Sequence, residues 1–160
     1  MIDFEICPMV SDSEMDEKGY VHYISWQETY SGLMPDDYLK GLTLEKCVEM
    51  AHKLPQNTLL LKVEGKTVGF SCICKREDAT ELLAIYLLKA YHGKRLGYEL
   101  LKHTISAYCD NTRVFLWVLE GNDRAISFYK RFGFKLNGIE KQLPFGKELQ
   151  MEYNKQRFNS

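Results

Sequence analysis

Residues 90–101 read AYHGKRLGYELL and follow directly on the apolar run LLAIYLL. Gly93 and Gly97 bare the main chain, Lys94 and Arg95 add positive charge, and a helix opens at the same point. Unpaired N–H groups at a helix N-terminus attract anions, and glycine lets a ligand come close to the backbone. That combination is the chemistry of a phosphate cradle. A Walker loop would need Gly-Lys-Ser/Thr five positions after a glycine, which HGKRLGY lacks. A dinucleotide fingerprint needs three spaced glycines, and Gly93 and Gly97 do not fit that spacing.

The elements that must position this loop can be read from periodicity. IDFEIC alternates as a short strand, and residues 14–30 place Val21, Ile24, Trp26 and Tyr30 at helical spacings, predicting an amphipathic helix ended by Gly32 and Pro35. LTLEKCVEMAHKLP predicts a second helix with Thr43 as N-cap and Pro55 as its stop. Two β-rich runs flank Glu64-Gly65-Lys66, a hairpin signal, and ELLAIYLL is a third strand. A helix over 93–109 buries Leu96, Leu100, Leu101, Thr104 and Tyr108, and VFLWVLE reads as a strand covered on both faces. NDRAISFYKRF sets Ala125, Phe128, Tyr129 and Phe132 on one helical face, and GFKLNGI and KELQMEY close the chain as strands. The fold class expected is α/β, a mixed sheet of six to seven strands with helices on both faces, in one domain spanning 1–160.

Composition narrows the function. The 160 residues are 45% hydrophobic and 27% charged, and the net charge of -1 gives no basic field for nucleic acid or a membrane surface. No apolar run approaches a membrane span, and MIDFEICPMV does not resemble a signal peptide. Five cysteines, at 7, 47, 72, 74 and 109, fit reduced thiols in a cytoplasm better than a disulfide framework. Cys72 and Cys74 share one face of a strand, but no further ligands stand at metal spacing, so they read as small apolar residues and no metal is expected.

The stretch His92-Gly93-Lys94-Arg95-Leu96-Gly97 resembles the pyrophosphate loop of the GCN5-related N-acetyltransferases, Gln/Arg-x-x-Gly-x-Gly/Ala, with His92 in place of Gln/Arg and Arg95 in place of the first glycine. LWVLEGNDRAISFYKRFGF resembles the following strand and helix of that family, with Asn122, Ala125, Phe128, Tyr129, Gly133 and Phe134 in place. SWQETYSGLMPDDYL is similar to the first helix and loop of many small bacterial members.

The resemblance implies acetyl-coenzyme A as co-substrate and a primary amine as acceptor, in a splayed cleft between parallel strands. Leu87 and Leu88 would then offer strand backbone to the pantetheine arm, and His92, Gly93, Lys94, Arg95, Leu96, Gly97 and Tyr98 would meet the pyrophosphate. Tyr129 matches the usual general acid at the thioester sulfur, although its helical face also suits packing. Asn122 could bond the cofactor or cap its helix. Glu81 lies at the offset where the histone acetyltransferases of this superfamily carry their base, and is otherwise a surface carboxylate. Trp26, Tyr30 and Tyr23 would line the acceptor pocket or pack in the core. Asp12, Glu14, Asp16 and Glu17, with Asp36 and Asp37, would draw in a cationic amine such as a polyamine, or else complement helix dipoles. A peptide or protein amine, and a non-catalytic acyl-coenzyme A sensor, are the alternative readings. Nucleic acid and membrane partners are not expected, and the chain would act as a monomer or homodimer.

Overall fold

Ser11 starts the first helix. Its Oγ accepts from the Glu14 amide at 3.2 Å, and Glu14 reaches back to the Ser11 amide at 3.0 Å, a reciprocal capping box. The same carboxylate accepts from Lys62 Nζ at 2.7 Å, and these donors hold Glu14 down to about 2. The computed structural model describes residues 2–109 and 113–154. Its elements are β1 (Phe4–Pro8), α1 (Asp12–Tyr30), α2 (Asp36–Gly41), α3 (Leu44–Lys53), β2 (Thr58–Val63), β3 (Lys66–Lys75), β4 (Thr80–Leu87), a 3-10 turn (Lys89–Tyr91), α4 (Leu96–Tyr108), β5 (Arg113–Leu119), α5 (Asp123–Phe132), β6 (Lys135–Leu143) and β7 (Gly146–Asn154). The strands form a seven-stranded mixed sheet, ordered β1-β2-β3-β4-β5-β7-β6. This is the α/β class expected, with α2 as an additional short helix.

The chain divides into two compact units, Met1–Cys72 with Ala84–Tyr108, and Ile73–Leu83 with Cys109–Ser160. In the first, Glu64 (φ 53) and Gly65 (φ 77) make the tight turn of the β2–β3 hairpin, both in the left-handed region that such a turn demands. Thr43 caps α3 by accepting from the Lys46 amide, as its position predicts. The core gathers Met9, Val21, Leu60, Val68, Phe70, Leu88, Leu96 and Leu100. Adjacent residues of β3 address opposite faces: Phe70 meets α1 through His22, while Ser71 Oγ bonds Thr104 of α4 at 2.5 Å.

Helix α1 is not amphipathic in the expected sense. Its buried stripe is Lys18, Gly19, Val21 and Ser25, while Ile24, Trp26 and Tyr30 are half-buried. The cause is a close helix crossing. A Cβ on Gly19 would stand 2.6 Å from the Val48 Cα of α3, so the two backbones touch there. Lys18 lays its ammonium over the Phe70 ring, 4.7 Å from the centroid, instead of reaching water. Helix α4 also starts later than the pattern suggests, at Leu96, because residues 93–95 are spent on the loop.

In the second unit, β5 runs parallel to β4 (Thr80↔Val114, Leu82↔Leu116) and antiparallel to β7. The expectation of two covered faces fails for β5. Val114, Leu116 and Val118 are buried, whereas Phe115 and Trp117 are half-buried beneath cations, Arg113 at 5.0 Å and Lys141 at 4.2 Å from the ring centroids. Helix α5 covers the Val114 face, with Phe132 and Tyr153 rings 5.4 Å apart. Cys72 and Cys74 are half-buried rather than core, and none of the five cysteines forms a disulfide.

Gly19→Ala is expected to destabilise the fold by about 3 kcal/mol, at the upper end for overpacking, because the clash falls on backbone and not on a movable side chain. Urea unfolding of the variant against the parent checks this.

Candidate active site

The first unit holds the phosphate-type loop. Leu88 N–H donates to the Val68 carbonyl of β3 at 2.9 Å. Main-chain groups alternate sides along a strand, so those of Leu87 point away from β3. Of the two positions expected to offer backbone, Leu88 therefore has its amide committed and Leu87 is the outward one. Beyond them the 3-10 turn closes with Tyr91 N–H to Leu88 O and His92 N–H to Lys89 O. The His92 ring donates from Nε2 to the Leu87 carbonyl at 2.8 Å.

Arg95 immediately precedes helix α4, and its carbonyl takes the first helical bond, from Glu99 N–H. The amides of Leu96, Gly97 and Tyr98 are thus first-turn donors with no carbonyl behind them in the helix. Gly93 sits at φ 77 with open space where a side chain would be. Arg95 adopts φ 66, a conformation costing a side-chain-bearing residue roughly 1 kcal/mol. This is where the family pattern prefers glycine. Its guanidinium stacks over the Tyr98 ring at 4.7 Å, which places the cation beside the first-turn amides. Exposed Lys94 adds a second charge. Bare backbone, three helix-start donors and two cations fit a polyphosphate.

Trp26 and Tyr30 come together on α1, ring centroids 4.8 Å apart, and Tyr30 OH meets Tyr86 OH of β4 at 3.3 Å. His22 stacks on Tyr86 at 5.6 Å and meets Phe70 edge-on. The acidic residues expected to assist them are mostly engaged elsewhere. Glu14 binds Lys62, Asp16 binds His52 at 2.8 Å, and Glu17 accepts from Thr67 at 2.5 Å. They occupy the N-terminal end of α1, roughly 13 Å or more along the axis from Trp26. Asp36 and Asp37 are exposed on the first turn of α2.

The second unit holds Tyr129, Asn122 and Glu81. Gly133 takes φ 130 and donates to the Tyr129 and Lys130 carbonyls, which ends α5 and drives Phe134 into the core. The Tyr129 ring is braced by Phe128 at 5.4 Å and Phe134 at 5.7 Å. Asn122 caps α5, its Oδ1 accepting from the Ala125 amide at 3.3 Å. Glu81 Oε1 accepts from both Nε and an Nη of Arg76, at 3.1 and 2.8 Å. Glu81 lies in register with Phe115, on the sheet face opposite the one covered by α5. Among the described residues no cluster of His, Cys, Asp and Glu could hold a metal ion.

Residues 15–134 match the model of the acetyltransferase (GNAT) family. The chain belongs to the GNAT acetyltransferase family. An uncharacterised N-acetyltransferase of Mycobacterium bovis is 35% identical over 83 residues, which is 50% of this chain and 53% of that one. A spermine/spermidine N(1)-acetyltransferase of Bacillus subtilis is 36% identical over 89 residues, 49% of this chain and 59% of the relative. The GNAT chain thus spans about half the length of the curated relatives it matches. The crystal structure of the PaiA N-acetyltransferase of Thermoplasma acidophilum, in complex with coenzyme A, superposes with a TM-score of 0.75 at 23% identity, covering 96% of this chain and 99% of that one.

Sequence reasoning missed Glu28, Tyr86 and His22 of this GNAT chain. Glu28 Oε1 accepts from the Lys89 amide at 3.0 Å across 61 residues of sequence, and no local pattern marks such a contact. His22 is pushed down to about 4, first by burial and then by the Lys18 cation. The folded protein keeps this ring neutral while an unfolded chain protonates it near 6.5. Its contribution is therefore complete above about pH 6.5 and is lost as pH falls toward 4, by about 3 kcal/mol. Unfolding free energies of the parent should decline across that window more steeply than those of His22→Gln.

Proposed function

We propose that this chain transfers the acetyl group of acetyl-coenzyme A to a primary amine by direct attack in a ternary complex. The observation that carries the reading is the loop itself: helix-start amides at 96–98, bare backbone at Gly93 and the stacked Arg95 cation, in a chain of this family. Acetyl-coenzyme A, when bound, supplies an activated acyl carbon and a thiolate leaving group. The amides of Leu96, Gly97 and Tyr98 hold the pyrophosphate, and Lys94 and Arg95 add Coulombic attraction. The Leu87 N–H, directed away from β3, would be the donor available to an acyl oxygen that gains negative charge. Tyr129 would be the acid that supplies a proton to a leaving thiolate.

Glu81 takes the amine's proton only through Oε2 or after parting from Arg76, since Oε1 is held by two guanidinium nitrogens. Asn122 acts first as the cap that fixes the start of α5, and so the direction in which Tyr129 is presented. Tyr129→Phe keeps the ring among Phe128 and Phe134, so folding and cofactor affinity should persist while kcat falls roughly 10²-fold. Steady-state kinetics with calorimetric binding check it, and wild-type turnover in a variant limited by chemistry would return Tyr129 to a packing role.

The acceptor we propose is a small cationic amine, a polyamine in the first instance. Support comes from the named activity of the Bacillus relative and from exposed Asp36 and Asp37, which follow the Trp26–Tyr30 end of α1. Trp26 and Tyr30 then cover methylenes or hold an ammonium over a ring. Thiol release measured over a panel of amines tests this. Polyamine KM values should rise with ionic strength and rise again in the Asp36→Asn, Asp37→Asn double variant. Turnover of peptides without turnover of polyamines would shift the acceptor to peptide or protein amines.

A further inference from the structure

The connection between β4 and the cofactor loop is pinned at both ends of one peptide unit and again at the next. The peptide joining Leu87 and Leu88 has its N–H on the Val68 carbonyl and its C=O on the His92 ring. The following amide, Lys89 N–H, goes to the Glu28 carboxylate of α1. His92 thus returns from the loop to the strand that precedes it, and Glu28 reaches the same turn from the helix bearing Trp26 and Tyr30. A carbonyl can only accept, so the His92 nitrogen facing it carries a proton, and that bond survives in either charge state of the ring. The Glu28 carboxylate accepts from a main-chain amide, the stronger class of hydrogen bond.

We infer that His92 and Glu28 are positioning residues that fix the β4-to-α4 connection in its ligand-binding shape, and that Glu28 ties α1 on the acceptor side to the cofactor loop. This rests on the reading that residues 92–98 hold the cofactor. Pinning matters because the outward Leu87 amide and the first-turn amides of α4 are only about ten residues apart on a connection containing two left-handed residues, Gly93 and Arg95. Without the two side chains that connection samples other shapes, and each bound molecule must then meet the cost of ordering it. The His92 position is also where the family pattern carries Gln or Arg. All three side chains end in a donor, which is what the Leu87 carbonyl requires.

The test uses the full chain. His92→Leu and Glu28→Ala should each weaken acetyl-coenzyme A binding by about 5- to 10-fold in calorimetry, the worth of one hydrogen bond. His92→Gln, which can place a donor near Nε2, and Glu28→Gln, which keeps an acceptor oxygen, should stay within about twofold of the parent. Because both bonds brace one connection, the double variant should lose less than the product of the single losses. Amide exchange over residues 88–93 of the free protein should quicken in the Leu and Ala variants alone. Affinity within twofold of the parent in His92→Leu and Glu28→Ala, or Gln variants as weak as these, overturns the inference. A variant that fails to fold is replaced by its Gln counterpart carrying the exchange measurement, where parent-like protection supports the inference and lost protection overturns it. Gly97→Glu separates the two levels: unchanged affinity there removes the loop as the cofactor site, whereas lost affinity there with parent-like His92→Leu and Glu28→Ala sinks the positioning role alone.

Discussion

The main chain between β4 and α4 must leave donors unspent between a strand and a helix, elements whose backbone groups pair by construction. A buried backbone N–H without a partner costs on the order of a lost hydrogen bond, so sheets and helices saturate one another. The start of a helix is the place where several amides can stay open without that penalty, since solvent reaches them. Everything around the loop serves that exception. Leu88 is returned to β3, Lys89 to Glu28 and the Leu87 carbonyl to His92, while the first-turn amides of α4 stay outside the helix's own ladder. The left-handed backbone at Gly93 and Arg95 is what turns the chain from strand to helix within that constraint.

Helix α1 carries the opposite burden, polar groups where an apolar stripe would be ordinary. Lys18 is buried over Phe70, and Ser25 Oγ, His22 Nδ1 and Trp26 Nε1 are buried without a protein partner. Such groups cost stability, so this helix is not optimised for packing alone. The backbone contact at Gly19 holds it against α3 in spite of that. One end of the helix is thereby anchored through Glu14, Asp16 and Glu17, and the other presents Trp26, Glu28 and Tyr30 to β4 and the turn after it.

The second unit shows a comparable division between its two sheet faces. Helix α5 seals one face, and Gly133 and Phe134 lock its end so that Tyr129 is held between aromatic rings. The other face keeps Phe115 and Trp117 partly open beneath Arg113 and Lys141, with Glu81 tied to Arg76 on the same side. A Gly138-centred irregularity in β6 opposes Asn137, Gly138 and Ile139 to Gln150, with Asn137 bonded to that glutamine at 2.6 Å. Such a kink with flanking lysines blunts the exposed sheet edge.

The sequence by itself determined the elements and the family. Helix starts at Thr43 and Asn122, the Glu64-Gly65 turn and the cradle from His92 to Tyr98 all depend on residues within a few positions of one another. Local chemistry of that kind is written in local order. The tertiary structure decided which face each element buries and which polar groups are already taken. Lys18 proved buried over Phe70 and Gly19 against Val48 of α3, and Phe115 and Trp117 half-open because only one face of β5 is covered in its unit. Leu88, the acidic residues of early α1 and one oxygen of Glu81 were drawn away by Val68, Lys62, His52, Thr67 and Arg76. Glu28 could be found only there. Its partner is 61 residues distant, and hydrogen bonds between remote segments leave no period or spacing in the chain.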